Sequence, residues 1–152
     1  MRIVILSAAA VLLSATPALA NEARVEARTS IVFDSGFSTG SLGVAGGYDY
    51  DLGSMAFVGA EVSADKLLDR GTRVAFGFTG RAGVNATEND KVFAAGGYTT
   101  KPCALCENAV NVGAGWQHSF GQVYAKVEYR HFFARNDGGD TDAVSTGIGF
   151  RF

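Results

Sequence analysis

Two cysteines, two histidines and a scatter of paired charges are the residues of this chain whose types and spacing could do chemistry. Cys103-Ala104-Leu105-Cys106 spells CxxC, the spacing of a redox pair, half a metal site or a local disulfide. Redox chemistry of the thioredoxin kind wants the first cysteine at a helix N-terminus, and a structural zinc site needs about four ligands. The chain offers no second cysteine pair and places this one between two strand-like segments, so a loop disulfide between Cys103 and Cys106 is expected. His118 adjoins Ser119, and His131 stands alone thirteen residues on. A histidine becomes a general base only with an oriented nucleophile and an acid to hold it. Ser119 is expected in a turn with His118, at the opposite end of the fold from His131, and no acid is expected within hydrogen-bond reach of His131. Both histidines are therefore read as structural, and no catalytic, cofactor-binding or metal-ligating residue is expected. The match of Asn85-Ala86-Thr87 to a glycosylation sequon is read as coincidence.

The charges need elements to position them, and the elements are legible as period-two alternation. From Arg24 to Phe33 one parity reads Val25, Ala27, Thr29, Ile31, Phe33 and the other Arg24, Glu26, Arg28, Ser30, Val32. Seven further segments repeat this grammar: Leu42–Tyr50, Ala56–Ala64, Arg73–Val84, Val92–Tyr98, Val110–Gln117, Val123–Arg130 and Val144–Phe152. Each approaches the roughly 9–11 residues that cross a bilayer at a tilt. The fold class expected is all-β, an eight-stranded antiparallel transmembrane β-barrel with up-and-down meander topology. Short connections are expected at Asp51–Ser54, Asn85–Asp90 and His118–Gly121, and longer ones at Asp34–Ser41, Ala64–Gly71, Thr99–Asn108 and Phe133–Asp142.

Composition agrees. The chain has 20 Gly but only 2 Pro, and Pro would interrupt a sheet ladder. Met1-Arg2, the apolar run Ile3–Ala15, Thr16-Pro17 and Ala18-Leu19-Ala20 have the layout of a cleaved signal peptide over residues 1–20. The single barrel domain is then 21–152, with 12 basic against 15 acidic side chains, which is no nucleic-acid footprint. No apolar 20-mer follows residue 20, so entry into a membrane requires a closed barrel.

The alternation also sorts the charges. Arg24, Glu26, Arg28, Asp49, Glu61, Arg81, Lys126, Glu128, Arg130 and Arg151 fall on the inward parity. An eight-stranded barrel is just wide enough for side chains to fill, so these residues are read as a structural plug, with an ion pathway as the alternative. Aromatics on the greasy parity, Phe33, Tyr98 and Tyr129 at one end and Tyr48, Trp116 and Phe152 at the other, form two expected interfacial girdles.

Val123-Tyr124-Ala125-Lys126-Val127-Glu128-Tyr129-Arg130 resembles the penultimate-strand motif of small outer-membrane barrels related to the OmpA transmembrane domain and the opacity-type surface proteins. Ala45-Gly46-Gly47-Tyr48-Asp49 and Ala94-Ala95-Gly96-Gly97-Tyr98 are similar to motifs of the same porin-like family. The ending, with Ile148, Phe150 and Phe152, resembles the C-terminal signal read by the outer-membrane assembly machinery. The resemblance implies a bacterial outer-membrane location with both termini in the periplasm, chaperone escort during export, outer-membrane lipid as solvent and a monomer. It implies a non-enzymatic envelope protein that supports the membrane or presents its loops to partners, with a narrow porin as the alternative. Some outer-membrane lipid hydrolases resemble this plan, with His, Ser and an acid on the barrel exterior, and a barrel-borne lipid enzyme is the third possibility.

Overall fold

The computed structural model describes residues 21–34, 36–104, 106–133 and 139–152; the expected signal peptide, residues 1–20, lies outside the described residues. The described chain is eight strands: β1 (Asn21–Asp34), β2 (Phe37–Leu52), β3 (Ala56–Leu67), β4 (Val74–Asn85), β5 (Asp90–Thr99), β6 (Ala109–Phe120), β7 (Val123–Phe133) and β8 (Thr141–Arg151). Each pairs antiparallel with its sequence neighbour, and β1 pairs with β8, so the sheet closes with no free edge. Closure satisfies every strand's backbone groups, which a sheet surrounded by lipid requires. The start of β1 and the end of β8 meet at one end, where Ala23 and Phe152 exchange backbone hydrogen bonds of 2.8 and 3.2 Å. This is the terminal end; the opposite one is the loop end.

Alternating exposure follows the alternating chemistry. In β7, Tyr124, Lys126, Glu128 and Arg130 are buried while Val127 and Tyr129 are exposed. Exposed large apolar side chains lie on the outer wall of every strand, the inverse of a water-soluble barrel. Two inward rings rest on glycines. A Cβ on Gly115 would lie 2.4 Å from the Phe93 ring, and one on Gly149 would lie 2.5 Å from the Tyr124 ring. Only a missing side chain leaves room for the far end of each ring over the neighbouring strand.

Three expected connections differ from what is found. Asp34–Ser41 is not a loop: β2 begins at Phe37, and Asp34↔Phe37, Phe33↔Ser38 and Ser30↔Ser41 are paired. The connection shrinks to positions 35 and 36, with Gly36 at φ 100°, the left-handed conformation tight hairpins need. Likewise β3 runs past Ala64 to Leu67. Both extensions stand at the loop end, where the outer face is no longer held to an apolar pattern, so the alternation that marks a lipid-facing strand fades. His118 and Ser119 belong to β6, paired with Ala125 and Tyr124, and the turn is only Gly121-Gln122. Gly121, at φ 68°, makes that turn possible.

Candidate functional site

The lumen is where the chain concentrates its polar chemistry, and Glu61 is its hub. This β3 carboxylate receives Arg24 at 2.7 Å and Arg28 at 3.1 Å from β1, and Lys126 at 3.4 Å and Arg130 at 3.5 Å from β7. In a ring of eight, β3 and β7 are diametrically opposed, so these contacts span the full width of the barrel. Asp49 organises a second tier nearer the terminal end. It accepts Arg81 through both of its oxygens, one at 2.8 Å, with Lys91 at 3.4 Å and Arg24 at 3.7 Å. Glu26 holds Lys126 at 2.8 Å and accepts the Tyr124 hydroxyl at 3.0 Å. Glu128 holds Arg130 at 2.5 Å and Lys126 at 3.4 Å.

All ten charges expected inside face the lumen, and they occupy different depths. Arg24, Asp49, Glu61, Lys126 and Glu128 are almost completely buried. Arg151 sits at the terminal mouth, donating to the Gly121 carbonyl at 2.6 Å and facing Glu22 at 3.2 Å. Three charged members escaped the sequence reading. Glu22 pairs with Lys91 and Arg151, Lys91 also reaches Asp49, and Asp65 grips Arg28 through both oxygens. Each has the inward parity of its strand and lies one or two residues beyond the boundary drawn from apolar alternation, so extending that parity would have found them. With them, the described lumen holds seven cations and six carboxylates in these contacts. Charges removed from water demand such pairing. Arg81 also lies over the rings of Phe57 and Phe93, its guanidinium carbon 5.3 and 4.8 Å from their centroids.

Above the Glu61 tier the lumen opens. A cavity of about 500 Å³ widens toward the loop end, floored by Arg28, Asp65 and Arg130. Its rim includes Cys106, and Cys103 and Cys106 form a disulfide. The disulfide loop is closed below by Lys101 N–H donating to Asn108 Oδ1 at 2.9 Å, and Pro102 accepts a hydrogen bond from Arg73 N–H at 2.6 Å. Among the described residues no cluster of three potential metal ligands occurs.

The outer wall carries two similar constellations. Trp116, His118 and Phe120 alternate along β6, and both the Trp116 indole N–H, at 3.0 Å, and His118 Nδ1, at 2.7 Å, contact Asp90 of β5. Tyr129, His131 and Phe133 alternate along β7, and Asp142 of β8 accepts the Tyr129 hydroxyl at 2.6 Å and lies 2.8 Å from His131 Nδ1. The expectation that no acid reaches His131 is thus corrected: Asp142 does, and Asp140 lies 3.5 Å from its Nε2. The cause is register, since His131 and Asp142 are directly paired across β7 and β8. Both constellations sit within the aromatic bands. Phe33, Tyr98 and Tyr129 are exposed toward the loop end, and Tyr48, Trp116 and Phe152 toward the terminal end. Exposed Ile148 and Phe150 continue the second band down β8.

No family model and no curated protein matches the sequence. Solved structures do match in shape. The N-terminal β-barrel domain of Pseudomonas aeruginosa OprF aligns with a TM-score of 0.59 at 17% identity, over 86% of this chain and 97% of that one. The outer-membrane enzyme PagL aligns at 0.58 and 12% identity, over 84% and 98%. Ail, the attachment invasion locus protein of Yersinia pestis, aligns at 0.54 and 15% identity, over 87% and 98%. The fold is that of a small outer-membrane barrel. Each match spans nearly all of the solved chain, and the low identities leave activity to be argued from the lumen and the wall.

Proposed function

We propose that this barrel resides in a bacterial outer membrane as a non-enzymatic envelope protein, its lumen sealed by its own side chains and its loops offered to the exterior. The observation that carries this is the Glu61 tier, where one carboxylate joins β1, β3 and β7 across the lumen. A pore would need those contacts broken. Planar-bilayer recording tests it: the refolded barrel should give no steady conductance steps, and a stable open level would favour a narrow channel instead.

Orientation is part of the proposal. Both termini lie in the periplasm and the wider connections face outward, following the usual asymmetry of such barrels. An epitope inserted after Asp69, in the β3–β4 connection, should be labelled on intact cells, whereas one inserted after Glu88, in the β4–β5 turn, should need permeabilisation. Labelling of the second on intact cells would reverse the topology.

The partners are lipid, periplasmic chaperones and the assembly machinery, which reads the C-terminal strand of a monomer. Phe152 supports this by its position: it is exposed on the outer wall and clasps Ala23 through two backbone hydrogen bonds. Deleting Phe152 should lower the yield of membrane-inserted barrel and raise the periplasmically degraded fraction, as measured by immunoblot of separated fractions. Unchanged yield would remove Phe152 from the signal.

The His131–Asp142 contact favours one second reading, a lipid hydrolase working on the outer wall. Among the described residues, however, the outward neighbours of His131 are Tyr129 and Phe133 on its own strand, Val112 on β6, and Asp140 and Asp142 at the start of β8. None carries a serine, threonine or cysteine to act as nucleophile, and Tyr129 already donates to Asp142. As a girdle element the pair has a complete role, tying the ends of β7 and β8 together at an interface.

A further inference from the structure

The cavity at the loop end is a cup with a floor, and its chemistry is selective. Its volume of about 500 Å³ lies within the roughly 300–1,000 Å³ of small-molecule sites. The floor is electrostatically spent. Arg28 is held by Asp65 and Glu61, and Arg130 by Glu128, Thr79 and Glu61. A cation arriving there meets two guanidinium groups and one committed carboxylate. An anion would also meet the Asp34 carboxylate, which lines the same cup.

The wall between floor and mouth is hydroxylic. Ser41 is 5% exposed and lines the cup; its carbonyl accepts the Thr29 hydroxyl, while its own hydroxyl takes no part in the side-chain hydrogen bonds among the described residues. The hydroxyl opens onto the empty volume, where water or a bound molecule can meet it. Ser30 and Thr141 line the same wall, while Phe37 and Phe132 supply flat apolar surface near the rim. Hydroxyls that can donate or accept, beside aromatic faces and above a floor whose charges are already paired, match an uncharged polyol ring.

We propose that this cup binds a neutral saccharide of one or two rings, entering from the loop end, with the Ser41 hydroxyl as a hydrogen-bonding contact and Phe132 as an apolar one. The site is distinct from the seal beneath it, and binding and conductance are separate measurements.

The test uses the protein in phosphatidylcholine nanodiscs, titrated by calorimetry with maltose and lactose, and with glucuronate and glucosamine as charged comparisons. At least one neutral disaccharide should bind saturably, and both charged sugars about tenfold or more weaker, a step of about 1.4 kcal/mol. Ser41→Ala should weaken that binding about fivefold, the loss of one hydrogen bond. Because the hydroxyl takes no part in the side-chain hydrogen bonds among the described residues, the same variant should leave the unfolding midpoint in place, a result a purely structural serine would not give. Phe132→Ala should weaken binding about tenfold by removing apolar contact. Competition by nanodiscs carrying a neutral galactolipid would assign the sugar to a lipid headgroup, and its absence would assign a soluble source. Absence of saturable binding by either disaccharide, equal binding of the charged sugars, or indifference to Ser41→Ala would each overturn the proposal.

Discussion

Replacing Glu61 by glutamine should destabilise the barrel more than any other single change of charge in its lumen, by about 3–5 kcal/mol, the range for removing one partner of a buried ion pair. The side chain keeps its size, so the loss is one of charge. Arg24, Arg28, Lys126 and Arg130 all share that carboxylate, and the Arg24 Nη2 already lacks a hydrogen-bond partner. Among the described residues the Glu128 carboxylate pairs with two cations, Arg130 and Lys126, so Glu128→Ala should cost less, about 1–3 kcal/mol with water entering the lumen. Val127→Ala on the outer wall should cost about 1 kcal/mol or less, because lipid refills the space. Urea unfolding in matched liposomes ranks the three. Finding Val127→Ala the most damaging would invert the assignment of β7's two faces. A steady conductance in Glu61→Gln, absent from the parent, would be the electrical signature of the same broken tier.

Phe93→Ala should cost about 3–5 kcal/mol, as large aromatic truncations do. Phe93 is 2% exposed, packs with Phe57 and Ala95, stacks on Arg81 and covers Gly115. Gly115→Val alone should also destabilise, by about 1–3 kcal/mol, because its new Cβ would meet the Phe93 ring. The two should not add. With the ring gone, valine fills part of the hole, and the double variant should be at least about 1 kcal/mol more stable than additivity predicts. Additive unfolding free energies would mean that ring and glycine do not form one packing unit.

How far the sequence could be read depended on which solvent a residue faces. Strands such as β7 and β8 alternate cleanly because one face meets an apolar surrounding and the other a packed polar lumen, and these were legible residue by residue. Phe37–Ser41 was not, because at the loop end the outside is no longer held to an apolar pattern. Even the exposed Phe37 then gives no period. Parity also told which charges point inward, though not which ones meet. Glu61 and Lys126 are 65 residues apart, and their meeting depends on barrel closure and stagger, which no local pattern encodes. The same gap hid the acid beside His131: Asp142 lies across a connection whose length sets the register of β8 against β7. Cys103 and Cys106 were readable for the opposite reason, since their contact is local and needs no tertiary knowledge.

The seam between β1 and β8 also sets how this molecule is made. Arg24 and Arg151 are register partners, and almost the entire chain lies between them. The entropy of closing a loop grows with the logarithm of its length, so this pairing costs about 2–4 kcal/mol more to initiate than the hairpins in the sheet. The seven hairpin contacts can each form locally, and this one cannot. The lumen cannot be sealed until it forms, because Arg24 and Arg28 reach Glu61 from β1 and Lys126 and Arg130 reach it from β7. A chain stalled before the seam is an open sheet with unpaired edges and stranded charges, the species most exposed to aggregation and to proteases. Stability and assembly are therefore coupled at one carboxylate, whose full complement of partners exists only in the finished ring.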